Sequence, residues 1–449
     1  MRLCLLAVLL AAPLFAQNDV EPWPPEALAK ALAAEPASEL DKHIKSLIES
    51  YEARIAKLKA EDAFVRASMP SLRDNLTLLY REYNQDKKRY PQDHFPVKSC
   101  IESIEMDMKR FLDDALEQNI DPLKGFSGRW ARKVCWIPET ALLAHYDLIV
   151  PNGYDPAKKY PVIYSFQSDP DDKFTRSAGY FLIRSIQVGY PKSFVGLEYR
   201  TRAILEDASL DFNIDPLRIY GTGFSYGGHT DLVFAWRFPD IFAAIVPICN
   251  DLRDERAPFV KYIRTPTFLL YGNSDSFLGT GKKLYDWMVE AKCPVKWETY
   301  EGGHDATFPF QKNPKMLTDF FEQHKLDPNP KTITKIVEHP RYSRAFWVNA
   351  KLVKNAPAKA TFSVRVLENN RIEVDANDEI AALDLYLNSN LVDMEKPVTV
   401  ASGEKVLFEG PAAAKVTIKI RDGEEYRLAE NKPLYERLDA VRRRAGFEK

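Results

Sequence analysis

The sequence predicts an α/β domain with a mostly parallel sheet, preceded by a helical region and followed by a small all-β sandwich. Between residues 129 and 325, short apolar runs flanked by Gly, Pro or Asn alternate with helical stretches, which is typical of a sheet covered on both faces. Before this stretch, apolar residues recur at the three- and four-residue spacing of a helix, and after residue 331 they alternate with polar residues at a spacing of two. The net charge of −2 over 449 residues argues against a nucleic-acid partner, which usually requires a basic excess.

The first 16 residues resemble a secretory signal peptide. Arg2 supplies the positive start, Leu3–Leu10 is apolar, and Ala16 precedes the expected cleavage point. The run is too short to cross a membrane. We therefore expect a secreted or periplasmic protein whose mature chain has no membrane span, beginning with a flexible leader over residues 17–37.

Residues 38–124 form the predicted helical region. Leu40, Ile44 and Leu47 begin a set of apolar residues at three- and four-residue steps. This region is either a packed extension of the next domain, or an interaction arm or lid. The β-sandwich is expected over residues 331–429, and a helical tail over 430–449, with Arg442, Arg443 and Arg444 on a solvated face. Docking to a partner is expected through the sandwich or the helical region.

The predicted catalytic domain covers residues 125–327. Its expected strands are short apolar runs that end at Gly, Pro or Asn, or border helical stretches. They are Arg129–Ile137, Thr140–Val150, Pro161–Phe166, Ser193–Glu198, Leu217–Tyr220, Phe242–Ile248, Thr267–Tyr271 and Val295–Tyr300.

The most informative motif is the G-x-S-x-G segment Gly223–Gly227. A short strand runs into it and a helical pattern starts directly after it, which is the setting of a nucleophile elbow. The neighbouring glycines allow the sharp turn that exposes the serine. Ser225 is therefore the predicted nucleophile.

A serine at neutral pH needs a base that is oriented by a carboxylate. Asp275 lies in a loop after an apolar strand, and His304 follows the last strand in a loop with two glycines. The chain order serine, acid, histidine is that of the elbow-type hydrolases. Asp251 and Asp305 remain rival acids.

The oxyanion formed during acyl transfer needs two N–H donors. The backbone of Tyr226, directly after the nucleophile, is the first candidate. Gln167, in the loop after the strand Pro161–Phe166, is the second.

Residues 129–325 resemble α/β-hydrolases of the prolyl oligopeptidase and feruloyl-esterase kind. The shared features are Val150–Asp155, Asn213–Pro216, Gly223–Gly228, Gly272–Asp275 and Gly303-His304. The resemblance implies a serine hydrolase, and the Ser-Tyr-Gly-Gly form favours the peptidase branch. The chain departs from many relatives at Gln167, where those relatives carry His-Gly.

These observations predict an exported serine hydrolase that cleaves a peptide or ester bond through an acyl-enzyme. Its substrate would be a small molecule, a peptide or a polysaccharide ester. One alternative is a feruloyl- or acetyl-type carbohydrate esterase, or another carboxylic-ester esterase. Another is a catalytically dead scaffold that binds a surface or polysaccharide. No cofactor or metal is implied, because the histidines and cysteines lack ligand spacing. Disulfides among Cys100, Cys135, Cys249 and Cys293 stay open.

Overall fold

The computed structural model describes residues 42, 46, 49–50, 53, 130–137, 142–166, 168, 170–186, 197–252, 257–353, 359–422 and 432–447. The predicted signal peptide and leader, and most of the helical region, lie outside these residues. The described chain divides into two compact units. One unit, called the C-terminal unit here, contains the described residues of Phe224–Asp305 and Asp319–Tyr435. The other, called the N-terminal unit, contains the described residues up to Gly223, the segment Ala306–Thr318 and the described residues from Glu436 onwards.

The N-terminal unit is built on strands in the order β1-β2-β4-β3-β5. β3 pairs in parallel with β4 and β5, whereas β2 pairs antiparallel with β1 and β4. Every residue of β3 after its first is buried, as expected for a strand inside a parallel sheet. The elements are β1 (Trp130–Ile137), β2 (Leu142–Ile149), β3 (Tyr160–Phe166), α1 (Asp172–Ser177), β4 (Phe181–Ile186), α2 (Leu197–Asp211) and β5 (Ile214–Phe224).

The C-terminal unit begins with three parallel strands in the order β6-β7-β8. β6 and β7 are fully buried, and polar loops follow both at their carboxyl ends. The elements are α3 (Tyr226–Arg237), β6 (Ala244–Ile248), α4 (Ala257–Val260), β7 (Thr267–Gly272), α5 (Leu278–Glu290) and β8 (Val295–Tyr300). A π-helical turn at Phe308–Lys312 and α6 (Lys315–Phe321) follow in the chain. The mostly parallel pairing that the sequence predicts is therefore present.

The remainder of the C-terminal unit consists of two further sheets. One has the order β16-β15-β13-β12-β9 and the other β10-β11-β14-β17. Buried residues of both sheets, such as Phe362 and Leu383, belong to one apolar core. All pairs are antiparallel except β13 with β15. The strands are β9 (Thr332–Val337), β10 (Arg344–Ala345), β11 (Val348–Leu352), β12 (Ala360–Val366), β13 (Arg371–Ala376), β14 (Ile380–Leu385), β15 (Pro397–Ser402), β16 (Lys405–Pro411) and β17 (Val416–Lys419).

A buried contact ties β9 to the end of α3. The Lys335 ammonium donates to the carbonyl oxygens of Trp236 at 3.1 Å and Arg237 at 2.6 Å. The Glu338 carboxylate accepts from Trp236 Nε1 at 3.0 Å and from Arg237 Nε at 2.6 Å. The last carbonyls of a helix have no partner within it. Lys335 therefore caps the helix that Ser225 precedes.

One sequence prediction fails locally, and one strand was missed. Residues 197 and 198, expected at the end of the strand Ser193–Glu198, instead begin α2, and β4 was not predicted. Short apolar runs do not distinguish a strand from a buried helix by period alone.

Arg442 is not part of a solvated face. It lies in α7 (Leu434–Arg444) and is fully buried, where it donates to Asn213 Oδ1 at 3.0 Å and to Asp439 Oδ1 at 3.1 Å. These two acceptors compensate the loss of hydration that burial of a guanidinium entails.

The structure bears on the state of the cysteines and on membrane-spanning helices. Cys135, Cys249 and Cys293 are buried and form no disulfide among the described residues, and Cys100 lies outside those residues. Within the described parts of the chain, no helix has the length and apolar character to traverse a membrane.

Candidate active site

Ser225 occupies the sharp turn between β5 and α3. Its backbone has φ 54° and ψ −113°, a conformation that non-glycine residues rarely adopt and that costs free energy unless the surroundings enforce it. Its N–H donates to the carbonyl oxygen of Ile248 at the end of β6, at 2.8 Å. The strained turn is thus held from the neighbouring strand, and it presents the hydroxyl at the N-terminus of α3.

Asp275 lies in the loop that follows β7. Its side chain is 0% exposed, so an ionised carboxylate here requires hydrogen-bond donors. The backbone N–H of Phe277 donates to Oδ1 at 2.8 Å. The second donor is the imidazole of His304.

His304 connects the acid to the nucleophile. Its Nδ1 lies 3.1 Å and 3.2 Å from the two carboxylate oxygens of Asp275, and its Nε2 lies 3.0 Å from Ser225 Oγ. When Nδ1–H donates to the carboxylate, Nε2 is left as the acceptor for the serine hydroxyl. The imidazole is about one third exposed, at 33%, so the contact with serine lies at the accessible side of the site.

The loops that carry the acid and the histidine are aligned by backbone hydrogen bonds. The N–H of Asn273 donates to the carbonyl oxygen of Tyr300 at 2.8 Å, and that of Ser274 to Gly302 at 2.9 Å. A Cβ on Gly272 would lie 2.2 Å from the carbonyl oxygen of Gly303. Glycine at 272 is therefore needed for the histidine loop to approach.

Two aromatic rings flank the imidazole. The ring centroid of Phe224 is 4.8 Å from that of His304, and that of Phe277 is 5.1 Å away in an edge-on orientation. Both rings are half-buried. Their contacts restrict the orientation of the imidazole. Phe277 was not predicted to be part of the site, although it lies only two residues after the acid in the sequence.

The rival acids occupy other positions. Asp251 contributes its backbone carbonyl, which lies 2.9 Å from His229 Nδ1. The backbone carbonyl of Asp305 accepts a short hydrogen bond from the Tyr300 hydroxyl. The structure thus places the carboxylate of Asp275, rather than that of a rival, against His304.

The two predicted oxyanion donors differ in what the structure describes. Tyr226 is the first residue of α3, so its backbone N–H lies at the helix N-terminus, where negative charge is stabilised. Gln167 lies outside the described residues.

Cys249 completes the buried surroundings of the acid. Its Sγ, a carboxylate oxygen of Asp275 and a ring nitrogen of His304 lie within 4.8 Å of one another. Metal binding would require a thiolate. Burial first, and then a hydrogen bond with Asp275, raise the pKa of Cys249 to about 12. The Asp275 carboxylate and the His304 imidazole of this group are also hydrogen-bonded to each other.

Comparison with known proteins gives partial structural similarity. No protein-family profile and no curated protein matches the sequence. A thermostable esterase shares 21% identity over 45% of this chain and 64% of its own, with a TM-score of 0.37. The Pyrococcus horikoshii acylaminoacyl peptidase shares 17% sequence identity over 44% of this chain and 42% of its own, with a TM-score of 0.37. A ferulic acid esterase shares 15% identity over 43% of this chain and 98% of its own, with a TM-score of 0.36. The match spans less than two thirds of the thermostable esterase's own length.

Proposed function

We propose that this protein is an exported serine hydrolase that cleaves a peptide or ester bond through an acyl-enzyme. One observation carries the proposal: Ser225 Oγ, the His304 imidazole and the Asp275 carboxylate form a continuous hydrogen-bonded chain. The acid is buried and the serine sits in a strained turn. Such strain at a site is a feature of functional residues.

In the first half-reaction, Ser225 Oγ attacks the substrate carbonyl carbon while its proton passes to His304 Nε2. Asp275 stabilises the imidazolium through Nδ1–H and keeps the ring in the required tautomer. The backbone N–H of Tyr226 and a donor near Gln167 would hold the oxyanion. Collapse of the tetrahedral intermediate transfers the proton from Nε2 to the leaving amine or alcohol.

In the second half-reaction, water replaces the leaving group. His304 Nε2 takes a proton from water, the resulting hydroxide equivalent attacks the acyl carbon, and Ser225 recovers its proton as the acid departs. The chemistry is complete with these side chains, so no cofactor or metal is part of the proposal. A peptidase of the prolyl-oligopeptidase type is the preferred form, and a carbohydrate or other carboxylic-ester esterase is the alternative.

Export and docking are also proposals. The signal-like segment over residues 1–16 supports secretion or a periplasmic location. The C-terminal sheets, or the helical region at 38–124, would supply a docking surface. The hydrogen-bonded arrangement of Ser225, His304 and Asp275 disfavours a catalytically dead scaffold, because such a scaffold has no need for a buried carboxylate at the histidine.

Labelling with a fluorophosphonate tests the proposal independently of the substrate, because the reagent needs only an activated serine. Wild type should label at Ser225, and Ser225→Ala should not. His304→Ala should label at least a thousandfold more slowly, since single members of such a triad contribute on the order of 10⁴-fold or more. Asp275→Asn should be similarly slow, because the amide favours the wrong imidazole tautomer.

Asp251→Asn is the matched control, because it makes the same change in a carboxylate outside the hydrogen-bonded chain. It should label at nearly the wild-type rate. Equal labelling of wild type and folded Ser225→Ala would refute the mechanism. A panel of aminoacyl-arylamides, short acyl esters and feruloyl or acetyl sugars would then separate peptidase from esterase.

A further inference from the structure

Two phenylalanines lie beside His304 and keep part of their surface accessible. The ring centroids of Phe224 and Phe277 are 4.8 Å and 5.1 Å from that of the imidazole, and both side chains are only half-buried. Within the described parts of the chain, neither ring has another aromatic neighbour. The buried ring of Phe268, by contrast, packs against Phe320 at 5.3 Å. Accessible aromatic rings beside reacting groups are typical of a surface that contacts a ligand.

Both rings are carried by backbone that also carries the triad. Phe224 is the last residue of β5 and directly precedes Ser225. Phe277 directly precedes α5, and its N–H donates to the Asp275 carboxylate at 2.8 Å. The rings are therefore held near the nucleophile and the base before a substrate binds, which lowers the entropic cost of forming a contact with it.

The proposed mechanism determines which part of a substrate lies closest to these rings. His304 Nε2, which is 3.0 Å from Ser225 Oγ, must pass its proton to the leaving oxygen or nitrogen across a hydrogen bond. The oxyanion lies instead at the backbone N–H of Tyr226, the first residue of α3. The leaving group is therefore the part of the substrate that lies against the imidazole and its two aromatic neighbours.

We propose that Phe224 and Phe277 form an apolar leaving-group subsite, which selects esters or amides whose leaving alcohol or amine carries an aromatic or bulky aliphatic group. In a peptide, that group is the side chain of the residue directly after the scissile bond. Contact with such a group removes apolar surface from water on both partners, which is favourable. A sugar hydroxyl gains little from the same contact. This inference rests on the proposed hydrolase function and names its substrate class.

Two acetate esters whose leaving alcohols have similar acidity test the preference. Benzyl acetate presents a ring to the subsite, whereas 2-methoxyethyl acetate presents a polar ether. After division by the alkaline hydrolysis rate of each ester, kcat/KM of wild type should be about tenfold or more higher for the benzyl ester, since even one methylene in an apolar pocket contributes that much. Equal values, or a preference for the ether, would overturn the proposal.

Substitution of either ring tests its part in this preference. Phe224→Ala and Phe277→Ala should each lower the ratio of kcat/KM for the benzyl ester to that for the ether ester by about tenfold. A ring that only orients His304 would slow both esters equally and leave the ratio unchanged. If an alanine variant does not fold, the leucine variant at the same position replaces it and should lower the ratio in the same direction.

Phe408→Ala is the matched control for these variants. Phe408 is also a half-buried phenylalanine, but it lies in β16, in a different sheet. The ratio should remain that of wild type in this variant. An unchanged ratio in the variants of both Phe224 and Phe277 would overturn the subsite.

A second readout does not depend on turnover of either ester. Benzyl alcohol and 2-methoxyethanol, the two leaving groups, are tested as protectants of Ser225 against fluorophosphonate labelling. Benzyl alcohol should protect wild type at about a tenfold lower concentration, and this difference should disappear in Phe224→Ala and Phe277→Ala. Equal protection of labelled wild type by the two alcohols would overturn the subsite and leave the hydrolase function intact. A wild type that does not label at Ser225 would overturn the hydrolase function, and the subsite with it.

Discussion

Replacing Lys335 with methionine should flatten the pH dependence of stability between about pH 7 and pH 9. The Lys335 side chain is 1% exposed and donates to the two carbonyls that end α3. Burial lowers its pKa from 10.5 to about 7, although Asp240 and Glu338 act in the opposite direction. The unfolded chain binds this proton more tightly than the folded protein does.

The sign and size of the effect follow from that difference. Below about pH 7 the lysine is protonated in both states, and the cost of the buried charge is fully present. As pH rises towards 10.5, only the unfolded chain keeps the proton, so the free energy of unfolding increases with pH. The slope is about 1.4 kcal/mol per pH unit, which gives roughly 2–3 kcal/mol between pH 7 and pH 9.

Urea unfolding at several pH values, followed by tryptophan fluorescence, would measure this slope for wild type and Lys335→Met. Other groups, including Tyr271 and Tyr300 whose pKa values are raised by burial, are common to both proteins and cancel in the difference. Lys331→Met is the matched control, because exposed Lys331 also donates to two carbonyls, those of Asn390 and Leu391. Parallel stability curves for wild type and Lys335→Met would refute the reasoning and indicate an ammonium that stays charged.

Two further substitutions test close packing and buried charge. Gly272→Ala should lower the fluorophosphonate labelling rate by about 100-fold, because displacement of a catalytic loop by about 1 Å has that effect. The control Gly279→Ala, in which the added Cβ has no neighbour within 4 Å, should label at the wild-type rate. A wild-type rate in Gly272→Ala would contradict the close approach of the histidine loop. The Asp231 carboxylate is fully buried without a hydrogen-bond partner among the described residues, and burial raises its pKa well above 3.8. Asp231→Asn should therefore match wild type near pH 4 and exceed its unfolding free energy by about 1–3 kcal/mol at pH 8, as urea unfolding would show; a constant difference across this range would argue against titration of Asp231.

Local sequence determined the parts of the site that depend on local backbone geometry. The segment Gly223–Gly227 lies between a strand and a helix, and its glycines leave room for the sharp turn at Ser225. The acid and the histidine were placed in loops after strands by the same reasoning. Alternating burial in β12 likewise follows directly from the period of two.

Tertiary structure decided which of these residues meet and which charges are buried. Asp251 and Asp275 both follow apolar strands, and only the alignment of the loops after β7 and β8 places Asp275 at His304. The burial of Lys335 and Arg442, and the contacts of Cys249 and Phe277, could not be predicted in the same way. The neighbouring sequence of a charged or aromatic residue can be the same whether its side chain lies at the surface or in the core. Its environment is set by residues that are distant in sequence and adjacent only after folding.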